Sequence, residues 1–378
     1  MAQLSITNVK LLPKKERRLL RGHRWVYKSD TAELLSLEDG AIIDIYSSTN
    51  RFIGRAFYQK QGNILGRIIS YHQEEINEKF FKKLLNNAIG LRIRLFPESN
   101  VYRWVHAEVD GLPGAIIDRY DKLVVAESNL EFYRKEREFF LKAIRSFKGV
   151  DNILTKFSSQ ILTDTVPEIV KVKLNGLDFL VPIKNSQKTG LFLDQRMNYI
   201  YSQKYMPGAK VLDCFSYIGV WSCHAISAGA KSVVLVESSE NAIEVTKENL
   251  KLNGFDSKST VIKGDVTEIL EQDEKYDVII LDPPAYIKKK EDFQKGFNKY
   301  VSLNSSAIRC LNDGGFLITC SCSHFVSQLD FREIVKRAIR KEGRRAKLLE
   351  FHGASPDHPE HFIMPELSYL KCAIVQVL

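Results

Sequence analysis

No apolar run in the 378 residues approaches the roughly 20 that a membrane-crossing helix needs, so no membrane partner is expected. The opening segment MAQLSITNVKLLPKKERR lacks the apolar stretch of a secretory signal, and the expected location is cytoplasmic. Cysteine is missing before position 214. The six present, at 214, 223, 310, 320, 322 and 372, include no C-x-x-C pair with matching histidines, so reduced thiols and no metal site are expected. Repeats and low-complexity segments are missing too. Acid is in deficit: 46 Asp and Glu stand against 55 Lys and Arg, a net charge of +9. The imbalance is uneven, because residues 1–70 hold 12 basic against 6 acidic side chains. A basic end segment points to a polyanion partner, nucleic acid first, with a solvated basic face as the alternative.

A chain of this length exceeds one ordinary hydrophobic core, so two or three domains are expected. Residues 1–71 read as short strands (LSITNVKLL, AIIDIYS, RFIGRAFY, ILGRIIS) around a basic, partly helical stretch, KKERRLLRGHRWVYKSD, and predict a small β-barrel. Residues 72–182 read as a small α+β domain. Helical spacing occurs at 75–95 and 131–147, with strands at VYRWVHAEVD, GAIIDRYD, KLVVAESN, ILTKFS and IVKVKLNGLDFLVPI. From 183 to 378 strand–helix alternation takes over: KVLDCF, SVVLVES, STVIKGD, DVIILDPP and GFLITCSCS predict a parallel, doubly wound sheet. The fold class is therefore α/β, a Rossmann-like sheet preceded by a β-barrel and an α+β middle domain.

In such a sheet ligands bind beyond the carboxyl ends of the strands, and three acids stand there. Asp213 ends one strand and leads into Phe215, Ser216 and Tyr217, with a tight turn expected near Gly219. Glu237 ends the next, 24 residues on, at the spacing of a carboxylate that holds ribose hydroxyls. Asp265 follows the third and can face an adenine amino group. Any one of them alone is more often a helix cap or a solvated turn, and it is the three at successive strand ends that point to a ligand. With no GxGxxG, the set fits S-adenosylmethionine better than a dinucleotide. NSQKTGLFLDQR (185–196), with Gln195 and Arg196, is placed to close over the methionine end.

The loop Asp282-Pro283-Pro284-Ala285-Tyr286 is stiff and poor in N–H donors, leaving carbonyls and the Asp282 carboxylate to meet a flat base edge. The same triplet suits exocyclic-amine methylation. Cys320 and Cys322 separate the chemistries: cytosine C5 becomes nucleophilic once a thiolate adds at C6. Alternation puts both thiols on one side, and Cys322 lies nearer the loop end. His324 is a candidate acid–base partner, with a structural role as the alternative.

These segments resemble the RlmI-like bacterial large-subunit ribosomal RNA cytosine-C5 methyltransferases, which carry an N-terminal PUA domain. RRLLRGHRWVYKSD, HAEVDGLPGAIIDRY, QKTGLFLDQR, LDCFSY, Asp357-His358-Pro359 and the tail PELSYLK each resemble a family segment, over nearly the whole chain. The resemblance implies methylation of C5 of a cytosine in 23S RNA. Cys322 is the nucleophile, Asp282 holds the base edge, and Cys320 is packing. It implies a ribosomal RNA partner; within the basic N-terminal segment Arg17, Arg18, Arg21, His23, Arg24 and Trp25 are the expected RNA contacts, and the sequence leaves the oligomeric state open between a monomer and a homodimer. Val220-Trp221 departs from the smaller residues usual after the loop glycine. A guanine N2 or N7 RNA methyltransferase and a non-catalytic RNA-binding assembly factor are the alternatives.

Overall fold

The computed structural model describes residues 6–33, 35–157, 160–163, 166–184 and 189–378. Residues 185–188, the start of the segment expected to close over the cofactor, lie outside the described residues. The chain forms two compact units, one of Met1–Pro167 with Asp357–Pro365 and one of Glu168–Pro356 with Glu366–Leu378.

The first unit contains two five-stranded sheets. One consists of β1 (Thr7–Lys10), β2 (Trp25–Tyr27), β3 (Ile42–Tyr46), β4 (Phe52–Tyr58) and β5 (Ile64–Ser70), in the order β1-β3-β4-β5-β2. Its core is aliphatic, with Val9, Leu19, Val26, Ile43, Ile45 and Ile68 fully buried. The basic stretch supplies both a short helix, Glu16–Leu20, and the unforeseen strand β2. The other sheet orders β6 (Val101–His106), β7 (Ile116–Tyr120), β8 (Leu123–Ser128), β9 (Asn152–Phe157) and β10 (Gln160–Thr163) as β10-β9-β8-β7-β6. Helix Glu78–Leu95, capped by the Asn77 side chain on Phe80 N at 3.1 Å, contributes Phe80, Phe81 and Leu85 to its core.

Two of the sequence motifs meet inside this unit. Trp25 Nε1 donates to Glu108 Oε1 at 2.7 Å, Arg67 pairs with the same carboxylate, and Phe57 stacks on Phe132 at 4.5 Å. Glu108 is only 2% exposed, so its charge is matched where it is buried, as a buried charge requires.

The second unit opens with a hairpin, β11 (Ile169–Leu174) and β12 (Leu177–Pro182), turning at Asn175 (φ 49°) and Gly176 (φ 87°). Both central residues at positive φ match the twist of a two-residue hairpin, which is why Asn-Gly stands there. A seven-stranded sheet follows: β13 (Lys210–Cys214), β14 (Ser232–Glu237), β15 (Ser259–Lys263), β16 (Tyr276–Leu281), β17 (Leu311–Ser321), β18 (Ala346–His352) and β19 (Lys371–Val377). The order is β15-β14-β13-β16-β17-β19-β18, parallel except for the pairs made by β19. Val211, Leu212, Val278, Ile279, Ile280 and Ile318 are fully buried, as expected where helices cover both faces. The order reverses between β13 and β16, which makes the space beyond their carboxyl ends the place for a ligand. Among the described residues no helix is long and apolar enough to cross a membrane.

Candidate active site

The loop after β13 carries its turn on non-glycine residues. Phe215 (φ 64°) and Tyr217 (φ 49°) both occupy left-handed backbone, a cost on the order of 1 kcal/mol each. Hydrogen bonds hold the loop in place: Ser216 N donates to Val236 O (3.1 Å), Tyr217 N to Glu237 Oε2 (2.9 Å) and Thr246 Oγ1 to Tyr217 O (2.8 Å). Gly219 (φ 79°) then starts helix Val220–Ser227; a Cβ there would stand 3.0 Å from Thr246 Cγ2.

The three acids occupy different environments. Glu237 lines a cavity of about 180 Å³, its Oε1 accepting from Ser238 N and Ser239 N at 2.9 Å. Asp265 is exposed and caps the short helix Val266–Ile269 through Thr267 N at 2.7 Å; that bonding to Thr267 holds its carboxyl below the usual range. Asp213 is fully buried, with Oδ2 accepting from Ser222 Oγ at 2.6 Å and Oδ1 without a partner among the described residues. Burial pushes its carboxyl up to about 7, the Ser222 bond opposing and the Asp282 and Glu237 charges adding.

That shift sets a pH dependence. The native carboxyl keeps a proton that the unfolded one, near 3.9, has lost. The associated stability is complete below about pH 4 and drains away as pH rises to about 7, by at most about 1.4 kcal/mol per pH unit. Asp213→Asn removes this slope. Urea midpoints measured from pH 4.5 to 7.5 are expected to fall in the wild type relative to the variant, and parallel profiles would contradict the assignment.

Phe192, Gln195, Phe215, Ser216, Tyr217, Trp221, Glu237, Asp282, Pro283, Pro284 and Cys322 are among the residues that line the 180 Å³ cavity. Asp282 follows β16 and Cys322 follows β17, neighbouring parallel strands in register at Leu281 and Thr319. Asp282 Oδ2 accepts from Gln195 Nε2 (3.0 Å) and from Trp221 Nε1 (3.1 Å). The unusual Trp221 thus has a function: its indole, edge-on to Tyr199 at 4.7 Å, helps to fix the carboxylate. Cys322 is half-buried, with Sγ 4.0 Å from the Pro283 carbonyl oxygen. Cys320 is fully buried opposite Cys372, and burial pushes its thiol well above the ordinary range. Strand β17 stops at Ser321, so the alternation expected to put both thiols on one side does not extend to Cys322.

One charged residue near the thiol escaped the sequence reading. Lys371 begins β19, 3% exposed, with Nζ donating to Ser323 O and Tyr369 O at 2.7 Å each. Burial lowers its pKa to about 8, and the Cys322 charge acts against that fall. Other expected residues lie elsewhere. Arg196 binds Asn175 Oδ1 through Nε at 3.0 Å and does not line the cavity, and exposed His324 sits 5.3 Å from the Tyr369 ring. In the first unit Arg17, Arg18 and Arg21 line a second cavity, of about 730 Å³. Arg24 Nη1 donates to Ile68 O (3.1 Å), His23 is 5% exposed, and Trp25 is bonded to Glu108.

Comparison with known proteins extends this picture. Residues 9–71 match the family described as a PUA-like domain, and residues 156–360 match the family described as S-adenosylmethionine-dependent methyltransferase. Ribosomal RNA large subunit methyltransferase I of Alteromonas mediterranea is 33% identical over 393 residues, covering 97% of this chain and 98% of that protein. The protein of the same name from Aeromonas salmonicida is 33% identical over 388 residues, again covering 97% and 98%. A solved structure from Streptococcus mutans, described as a SAM-dependent methyltransferase, superposes with a TM-score of 0.86 at 22% identity, covering 98% of this chain and all of that one. The chain has an N-terminal PUA-like domain and a catalytic domain whose cofactor is S-adenosylmethionine, and it belongs to the ribosomal RNA large subunit methyltransferase I family of S-adenosylmethionine-dependent methyltransferases.

Proposed function

We propose that the protein methylates C5 of a cytosine in large-subunit (23S) ribosomal RNA, with Cys322 as the covalent nucleophile. The relatives' name supports the RNA class. The observation that carries the chemistry is a half-buried thiol, Cys322, in one cavity with a doubly bonded carboxylate, Asp282. The reading assigns RNA binding to residues 1–71, a linking α+β fold to 72–182 and catalysis to 183–378, in a cytoplasmic protein.

The cavity suits the cofactor. Ser216 Oγ is buried in its wall without a hydrogen-bond partner among the described residues, and the aromatic rings of Phe192, Phe215 and Tyr217 surround it. In this reading Glu237 takes the ribose hydroxyls. Gln195, Phe215, Ser216 and Tyr217 shape the remainder, with Arg196 and Asp213 supporting from behind and Asp265 at the adenine end. When bound, S-adenosylmethionine supplies an electrophilic methyl group. Glu237→Ala is expected to weaken cofactor binding by roughly 1–3 kcal/mol, the cost of a lost charge-assisted bond. Calorimetry returning the wild-type affinity would remove Glu237 from the cofactor.

Cys322 adds as thiolate to C6 of a flipped cytosine, making C5 a carbon nucleophile. Asp282 accepts from the base edge and favours its protonation at N3 as charge builds. After methylation, C5 loses its proton, the S–C6 bond breaks and the thiolate leaves. Lys371 supplies the nearby positive charge that favours a thiolate over a thiol. Lys371→Met is therefore expected to move the acid limb of the pH–rate profile upward, with cofactor affinity retained. An unmoved limb would assign Lys371 to packing.

Incubation of the full chain with labelled cofactor and unmodified large-subunit RNA, followed by nucleoside analysis, tests the reading. 5-Methylcytidine is expected. Methylguanosine would replace the reading with purine methylation, and no labelled nucleoside would favour a binding factor.

A further inference from the structure

Residues Asp357–Pro365 leave the second unit's sequence and count with the first. Both ends of this excursion are anchored by buried groups. Asp357 Oδ2 accepts from Arg103 N at 2.9 Å, its carbonyl from Arg92 Nη2 at 2.7 Å, and His358 Nδ1 lies 3.0 Å from Asp357 Oδ1. At the other end Met364 is fully buried and its sulfur accepts from Arg24 N at 3.4 Å. Between the anchors Phe362 is 101% exposed and Ile363 43%. Packing alone does not account for a segment tied down at both ends that leaves its largest apolar ring in water.

What surrounds the ring is basic. Phe362 and Ile363 share the 730 Å³ cavity with Lys14, Lys15, Arg17, Arg18, Arg21, Tyr27 and one acid, Asp30. Asp30 is already committed, to Arg18 at 2.7 Å and Lys15 at 3.6 Å. Lys14, Arg17 and Arg21 have no ion pair among the described residues. The Arg18 guanidinium lies 4.4 Å above the Tyr27 ring, a second flat surface in the same cavity. Adjacent unpaired cations suit successive phosphates, and an exposed ring suits the face of an unpaired base, which a duplex hides.

We propose that this cavity is a single-stranded RNA subsite, in which one base stacks on Phe362 while Arg17 and Arg21 meet the neighbouring phosphates. The subsite rests on the RNA substrate proposed above and adds to it a residue from the C-terminal excursion. Phe362 makes no buried contact, so its replacement leaves the fold intact.

The test uses the full chain and a fluorescein-labelled single-stranded RNA of about 12 nucleotides, alone and annealed to its complement, titrated at several salt concentrations. Phe362→Ala is expected to weaken single-strand binding roughly 5- to 150-fold, the range for one base–aromatic stack, without changing the salt slope. Phe362→Tyr restores it, and the emission of Phe362→Trp is quenched on binding. Arg17→Gln combined with Arg21→Gln lowers the salt slope by about 1.4, the value for two phosphate contacts on a single strand. Wild-type affinity in Phe362→Ala, tighter binding of the duplex, or tryptophan emission that RNA leaves unmoved would overturn the subsite. Methyl transfer to ribosomal RNA, measured on the same preparations, separates the two readings. Normal transfer with wild-type oligonucleotide binding in Phe362→Ala sinks the subsite alone. Absence of transfer with the Phe362 effect intact sinks the catalytic reading alone.

Discussion

Cys322→Ala is expected to lower methyl transfer by at least roughly 10³-fold, since removing a nucleophile leaves only binding and positioning to accelerate the reaction. Cofactor binding should persist, because Glu237 and the Phe215–Tyr217 loop are held by contacts that do not involve the thiol. Cys320→Ala is the matched control. It removes a fully buried sulfur beside Cys372, so it is expected to cost stability and leave turnover near wild type. Loss of turnover in Cys320→Ala with retention in Cys322→Ala, measured by filter-bound tritium, would exchange the two assignments.

Asp282→Ala is expected to lower kcat by about 10²- to 10⁴-fold, the span for a positioned acid–base group. It also leaves Gln195 Nε2 and Trp221 Nε1 without their acceptor, a cost of about 1–3 kcal/mol each if no water replaces it. Asp282→Asn retains an amide oxygen for those donors and so separates chemistry from scaffolding. If the carboxylate acts on the base, Asp282→Asn is as slow as Asp282→Ala while unfolding near the wild type in urea. Wild-type kcat in Asp282→Asn would reduce Asp282 to a structural anchor.

The sequence marked what local chemistry determines. Strand–helix alternation from Lys210 to Ser321 reports a parallel sheet because both faces of its central strands β13 and β16 are buried, and Asp213, Glu237 and Asp282 lie at or just past strand ends where such sheets bind ligands. Long-range placement stayed hidden. Lys371 reaches the reacting end only because β19 runs antiparallel between β17 and β18, and neither β18 nor β19 stood out in the sequence. Trp221 is a misfit in the sequence, and its indole N–H donates to Asp282, a partner 61 positions away that sequence spacing does not reveal. Asp265 shows the opposite limit: a strand-end acid has one sequence signature for two roles, and its carboxylate caps Val266–Ile269 through Thr267 N, a role that the sequence does not separate from contact with a ligand. Trp25 stands among basic residues in the sequence, yet its N–H is bonded to Glu108, 83 positions away.

Covalent chemistry at Cys322 is the centre of this account, and a trapped adduct tests it most directly. Full-length enzyme is incubated with S-adenosylmethionine and large-subunit RNA containing 5-fluorocytidine. Fluorine cannot leave C5 as a proton does, so the thiolate cannot be expelled after methylation. The account predicts an RNA–protein species that survives denaturing electrophoresis, requires the cofactor and maps by peptide mass spectrometry to Cys322. Undiminished methylation of normal RNA, together with no adduct or an adduct on another residue, would contradict it.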